Sequence, residues 1–161
     1  MSTAAESAAG PEQRLADLGI ALPDVVPPVA SYVPAVRTGQ YVYTSGQLPM
    51  ADGALLATGK VGDGDGLVDP ELANELARTC ALNALAAVRS LTGSLDTVAR
   101  VVKVVGFVAS APSFTGQPAV INGASDVLGE IFGEPHARSA VGVAVLPLDA
   151  PVEVEIVVEL A

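Results

Sequence analysis

The stretch His136-Ala137-Arg138-Ser139-Ala140-Val141-Gly142-Val143-Ala144-Val145-Leu146-Pro147, followed by Val152-Glu153-Val154-Glu155-Ile156-Val157-Val158-Glu159-Leu160-Ala161, decides the fold. In the second run Val152, Val154, Ile156, Val158 and Leu160 alternate with Glu153, Glu155, Val157 and Glu159, the period-two pattern of a half-buried strand. The strand before it sets Val141, Val143 and Val145 against a face of Arg138, Ala140, Gly142 and Ala144. Side chains that small leave room for another chain, a small ligand or both. Pairing of the two strands across the Pro147 corner is expected to put Arg138 and Glu153 on one side of one sheet, so that a fixed cation and a carboxylate share a cleft.

Upstream, the apolar spacing changes from two to 3.6. Asp69-Pro70-Glu71 is a helix start, with Asp at the cap, Pro at the first position and an acid in the first turn. Leu72, Leu76, Cys80, Ala84 and Val88 then recur at helical spacing until Gly93. Val98 to Ala109 reads as an interior strand, apolar except for Arg100 and Lys103. Pro118 opens a second helix with Ile121, Ala124, Val127, Leu128 and Ile131 inward and Gly133 as its stop. Nearer the N-terminus, Ser31 to Val36 and Gln40 to Thr44 flank Arg37-Thr38-Gly39 as a hairpin. Gly46 within a strand pattern marks a bulge or a close backbone approach. Met1 to Gly10 reads as a mobile tail, Pro11 to Gly19 as a short helix and Leu22 to Pro28 as an extended connector. Residues 1–27 are therefore expected to form a tail, a short helix and a Pro-rich connector, and residues 28–161 a single domain. The order of strands, helix, strand, helix and two strands predicts an α+β fold, a mixed β-sheet with two helices on one face. Its other face is left for self-association.

Composition narrows the function. Half of the 161 residues are hydrophobic and 16% are charged, which fits one globular domain and leaves little polar surface for a monomer. The net charge is −10 and the eight Lys and Arg are scattered, so the basic cluster that a nucleic acid needs is missing. One Cys, Cys80, and one His, His136, cannot build a disulfide framework or a Cys/His metal site within one chain. No apolar stretch is long enough to span a bilayer and the N-terminus lacks a signal-peptide pattern, so a cytoplasmic, soluble protein is expected, with no membrane partner.

Seven residues are candidates for a site. Arg138 can hold a carboxylate through two parallel hydrogen bonds; the alternative is a solvated strand-end Arg or one paired with Glu153 or Glu155. On a small-residue face Glu153 can have a raised pKa and exchange protons near neutrality; the alternative is a solvated acidic strand face. Ser45 and Gly46 read as pocket wall, since no Gly-x-Ser-x-Gly elbow supports a serine nucleophile. His136 is a proton carrier or a loop His bonded to backbone. Tyr32 can place its ring over a neighbouring cleft or be an ordinary strand tyrosine. Ala140 lies on the Arg138 face. Cys80 reads as inert core.

Three segments resemble the RidA (YjgF/YER057c/UK114) family. Tyr43-Thr44-Ser45-Gly46-Gln47-Leu48-Pro49 is similar to its Thr-Ser-Gly-Gln-hydrophobic-Pro signature. Ala137-Arg138-Ser139 through Leu146-Pro147 to Val152-Glu153-Val154-Glu155 is similar to its C-terminal signature, and Leu95-Asp96-Thr97-Val98 resembles its lead into the central strand. The run Val120 to Asp126, with Phe132-Gly133 and His136-Ala137-Arg138, resembles a divergent branch. The resemblance implies a chorismate-mutase-like subunit in a homotrimer with clefts between neighbours. It implies cofactor-free hydrolysis of reactive enamines and imines, such as 2-aminoacrylate, to 2-oxo acids and ammonia. By position, Arg138 corresponds to the carboxylate-binding arginine, Glu153 to the acid near the attacking water, Tyr32 to the cleft tyrosine, and Ser45 with Gly46 to the pocket wall. Ala140 stands where founding members often have cysteine. A non-catalytic trimer that binds small carboxylates is the alternative, and an endoribonuclease is disfavoured by the charge.

Overall fold

In the computed structural model, which describes residues 9–28 and 30–161, helix α1 (Pro11–Asp17) precedes a hairpin of β1 (Ala35–Thr38) and β2 (Tyr41–Thr44). A small hairpin, β3 (Met50–Ala51) and β4 (Ala54–Leu55), leads to α2 (Pro70–Thr92). Then come β5 (Val98–Ala109), α3 (Gln117–Phe132), β6 (Ala137–Val143) and β7 (Val152–Leu160). The main sheet has the order β1-β2-β7-β5-β6, with β5 and β6 parallel and the other pairs antiparallel. This is the expected mixed sheet with both helices on one face.

Each helix forms for the reasons its sequence carries. The Asp69 carboxylate accepts the Glu71 N–H at 2.8 Å, Pro70 fills the first turn, and Gly93 at φ 83° closes the helix. Leu76, Ala77, Cys80, Ala84 and Val88 are buried, whereas Leu72, expected on the same stripe, is exposed because Ala73 takes the inward position of that turn. On α3 the five predicted residues Ile121, Ala124, Val127, Leu128 and Ile131 are all buried. Two glycines set how closely α3 sits. A Cβ on Gly123 would collide with the backbone carbonyl of Asn74 on α2, and one on Gly106 of β5 would lie 2.5 Å from Ile121 Cδ1.

The hairpin turns one residue later than its sequence predicts. Arg37 and Thr38 pair with Val42 and Tyr41, leaving Gly39-Gln40 as a two-residue turn with Gly39 at φ 57°. Helix α1 docks on the helical layer: Leu15 is buried, Glu12 accepts the Leu95 N–H at 2.9 Å, and Arg14 donates to Ile131 O at 3.0 Å, among the unpaired carbonyls of the last turn of α3. The expected tail, Met1 to Gly10, lies mostly outside the described residues. Among the described residues no helix is long and apolar enough to cross a membrane.

The largest departure concerns the C-terminal ribbon. β6 and β7 do not pair, because β5 lies between them. A strand, helix and strand in succession pair in parallel, so β6 takes the outer side of β5. A 3₁₀ turn at Pro147–Asp149, with Leu148 and Asp149 at positive φ, starts the chain back, and β7 takes the other side of β5. The faces follow from the registers. Val104 lies beside both Arg138 and Ile156 and is fully buried, so Arg138 lies under the helices. Phe107 lies beside both Val141 and Glu153, so Glu153 is on the open face with Val36, Tyr41, Tyr43 and Val141. Arg138 and Glu153 therefore do not share a side of the sheet within one chain.

Gly123→Ala tests the close approach of the helices. The clash is with backbone and cannot be relieved by a rotamer, so a loss of about 1–3 kcal/mol or more is expected. A lowered urea midpoint with an unchanged slope would show it.

Candidate functional site

Arg138 is the second residue of β6, and its side chain turns toward α3. Its Nη1 donates to Asn122 Oδ1 at 2.7 Å and to Ser125 Oγ at 3.2 Å, and its Nη2 donates to the Pro118 carbonyl at 3.3 Å. A guanidinium has five N–H groups, so these three bonds leave two, one on Nε and one on Nη2. All three acceptors are neutral. Among the described residues the one salt bridge joins Arg89 to Glu12, so the expected alternative of Arg138 paired with Glu153 or Glu155 does not occur. A cation fixed by neutral groups keeps its charge available to an anion.

His136 stands just before the strand, and its Nε2 lies 2.9 Å from Ser125 Oγ, while Nδ1 is buried with no partner. Burial and the Arg138 charge lower its pKa from the ordinary value, so the ring is neutral at pH 7. The expected backbone-bonded loop His is thus replaced by one bonded to a side chain. Ala140, next along the same face, packs against the core. Asn122 and Ser125 were not among the candidate site residues, although both lie in the run Val120 to Asp126 that marks the divergent branch. Both face outward from the buried stripe of α3, and the sign of them was two polar side chains three apart, one helical turn, at the edge of an apolar face.

The remaining candidates gather around β2 and β7. Tyr43 pairs with Val157 and Gln47 bridges Val154, so four steps on one strand face three on the other: this is the expected bulge, at Ser45-Gly46. Thr44 Oγ1 accepts the Ile156 N–H at 3.0 Å and Gln47 exchanges two backbone bonds with Val154, which fastens the bulge on both sides. The bulge has a reason to contain Gly46, since a Cβ there would collide with the Glu153 carboxylate. Burial first and the nearby Glu155 second raise the pKa of Glu153. Ser45 Oγ donates to Val33 O at 2.6 Å, which ties down the segment that carries Tyr32 and commits the hydroxyl internally. Tyr32 is exposed and, with Pro27, Gly46, Leu48 and Met50, lines a cleft of ≈ 30 Å³. Cys80 is fully buried, and burial pushes its thiol pKa well up, as inert core requires.

The candidates thus form two groups. Tyr32, Ser45, Gly46 and Glu153 lie at β2 and β7; His136, Arg138 and Ala140, with Asn122 and Ser125, lie at β6 and α3. Three strand spacings separate β2 from β6, roughly 14 Å. β6 is an edge strand, so its group lies at the boundary of the chain.

A model of the family described as Endoribonuclease L-PSP matches residues 23–160. Protein TCP17 of Trypanosoma cruzi is 46% identical over 150 residues, which cover 91% of this chain and 92% of that protein. Among solved structures, a protein of unknown function from Agrobacterium tumefaciens is 46% identical with a TM-score of 0.83, covering 94% of this chain and 92% of that one. A candidate endoribonuclease from Shewanella oneidensis has a TM-score of 0.88 at 32% identity, covering 94% and 100%. RidA from an Antarctic Psychrobacter is more distant, with a TM-score of 0.59 at 26% identity and coverage of 85% and 94%. With its signature segments folded into this sheet and its match spanning most of the sequence, the chain belongs to the Endoribonuclease L-PSP family, which includes the RidA (YjgF) proteins, and to a branch divergent from RidA itself.

Proposed function

We propose that this protein hydrolyses reactive 2-imino acids and their enamine tautomers, of the 2-aminoacrylate type, to 2-oxo acids and ammonia. The observation that carries the reading is Arg138, a guanidinium fixed by three neutral acceptors with two N–H groups left over. Its charge and remaining donors suit an α-carboxylate, and orienting the substrate supplies much of the catalysis when the imine carbon is already electrophilic. Glu153, whose raised pKa lets it exchange a proton nearer neutrality, is the group that helps activate water. No cofactor is required by this chemistry.

The same reading places the reaction in clefts between three copies of the chain. Arg138 and Glu153 lie on opposite faces and at different strands, so one chain does not assemble both around one substrate. The open face carries Val36, Tyr41, Tyr43 and Val141 exposed, an apolar surface that a neighbour would bury. In a closed ring the β6 group of one copy meets the β2 and β7 group of the next. A non-catalytic binder of small carboxylates is favoured by a different observation: the Arg138 cradle is complete within a single chain, and Glu153 is not part of it. Ribonuclease activity, which the family description names, is opposed by a net charge of −10. Location in the cytoplasm remains part of the proposal.

Imines generated in solution by an amino-acid oxidase should lose ammonia faster with the protein than without it. Arg138→Ala should abolish the acceleration, about 10²-fold or more if the carboxylate is the main anchor. No acceleration across small, branched and aromatic imines would leave the binding reading. Light scattering should give a mass near three chains; a mass near one chain would rule out the shared cleft. Glu153→Gln separates the two readings, lowering turnover while carboxylate binding persists. It also carries a stability signature. Because the folded pKa of Glu153 is raised, its contribution to stability is present below the unfolded value of about 4.3 and lost as pH rises through the folded value. The Gln variant should therefore resist urea better than wild type at pH 7, with the advantage shrinking toward pH 4.

A further inference from the structure

We infer that Ser125 and His136 form a proton-transfer pair that serves the substrate held at Arg138; the substrate class rests on the reading above, but the pair itself does not. Two contacts and one unpartnered nitrogen define the pair. Arg138 Nη1 donates to Ser125 Oγ at 3.2 Å and has no capacity to accept. Ser125 Oγ lies 2.9 Å from His136 Nε2, and in the proposed pair its own hydrogen points to that nitrogen. Nε2 is then the acceptor and the neutral ring carries its proton on Nδ1, the atom that is buried with no partner. The result is a chain from guanidinium to hydroxyl to imidazole in which the serine is polarised from both ends: the cation stabilises negative charge on Oγ and the ring can take its proton.

The arrangement belongs to one chain and lies directly against the Arg138 guanidinium. Of the charged groups on the elements around His136, namely Arg138 on its own strand, Lys103 on β5 and Asp126 and Glu130 on α3, Arg138 is the one that adds to burial in keeping the ring neutral. For an iminium substrate the atoms and charges balance. Water adds its oxygen to the C=N carbon and passes one proton to Ser125 Oγ, while the hydroxyl's own proton moves to His136 Nε2. The carbinolamine nitrogen then takes that proton back through Ser125, the C–N bond breaks with its electron pair on nitrogen, and the hydroxyl proton leaves with ammonia as ammonium. The sum is iminium plus water to 2-oxo acid plus ammonium, with the pair restored. Glu153 of another copy then assists by orienting the attacking water, while this pair carries the proton from that water to the departing nitrogen.

His136 is the only histidine, so its ring signals need no assignment by mutagenesis. Nitrogen-15 spectra of the intact protein should show the neutral ring protonated on Nδ1, and Ser125→Ala should shift it toward the Nε2 form. Pyruvate, by neutralising Arg138, should raise the pH midpoint of the ring. A wild-type ring protonated on Nε2, or a spectrum indifferent to Ser125→Ala, overturns the pair whatever the activity. In the imine assay, Ser125→Ala and His136→Gln should each lower kcat by about 10²-fold with a smaller change in KM. A raised KM with kcat intact would show that the two residues only hold Arg138 in place, and would overturn the inference. If wild type releases no extra ammonia while the spectra behave as expected, the imine reading fails and the pair stands.

Discussion

The constraint on which the molecule depends is the parity of two strands on either side of β5. Side chains in a strand alternate faces, and neighbouring strands in register share a face, so β5 dictates which residues of β6 and β7 look the same way. Val104 aligns Arg138 with Ile156 toward the helices, and Phe107 aligns Val141 with Glu153 toward the open side. Burial of Val152, Val154, Ile156, Val158 and Leu160 against α2 leaves no freedom to slip by one residue, since a slip would bury the glutamates. The separation of the cation from the acid is thus a consequence of core packing.

Packing also decides what surrounds the cation. α3 lies close to β5 because Gly106 yields space to Ile121, and close to α2 because Gly123 has no side chain. From that position the outer edge of α3 reaches the start of β6 with Asn122 and Ser125. An amide oxygen, a hydroxyl and a carbonyl restrain a guanidinium without neutralising it, which a carboxylate would not do. The bulge at Ser45-Gly46 serves the other group in a comparable way, by clearing the place where the Glu153 carboxylate lies.

The elements themselves were legible in the sequence because their periodicities are strongly expressed. Asp69-Pro70 and Gly93 bracket a helix by cap chemistry, and the Val-Glu alternation from residue 152 permits one reading. What was not legible was which strands touch. The Leu146-Pro147 corner reads as a hairpin when local residues alone are considered, yet strand pairing is a long-range property, and the side of β5 that each strand takes depends on where α3 returns the chain. Arg138 was identified from its residue type and position. Its partners were not, since the significance of Asn122 and Ser125 comes from contact with a strand 13 to 16 residues further on. The close approach at Gly46 was readable because glycine weakens a strand and stands inside one where a bulge or a neighbouring group leaves no room for a side chain. The identity of the approaching group, Glu153, lay more than a hundred residues away.

β6 ends the sheet, and its outer row of peptide groups is unprotected by the usual devices. From Ala137 to Val143 it contains no proline, and its one charged side chain, Arg138, is turned away toward α3. Such an edge is a template for any extended chain that comes within reach, including an unfolded copy still on the ribosome. The net charge of −10 is then a colloidal safeguard, because mutual repulsion slows encounters between copies. Physiological salt limits that repulsion to about 8 Å. An uncovered edge of this kind makes the behaviour of the chain during synthesis depend on how soon that row of peptide groups meets a partner of its own.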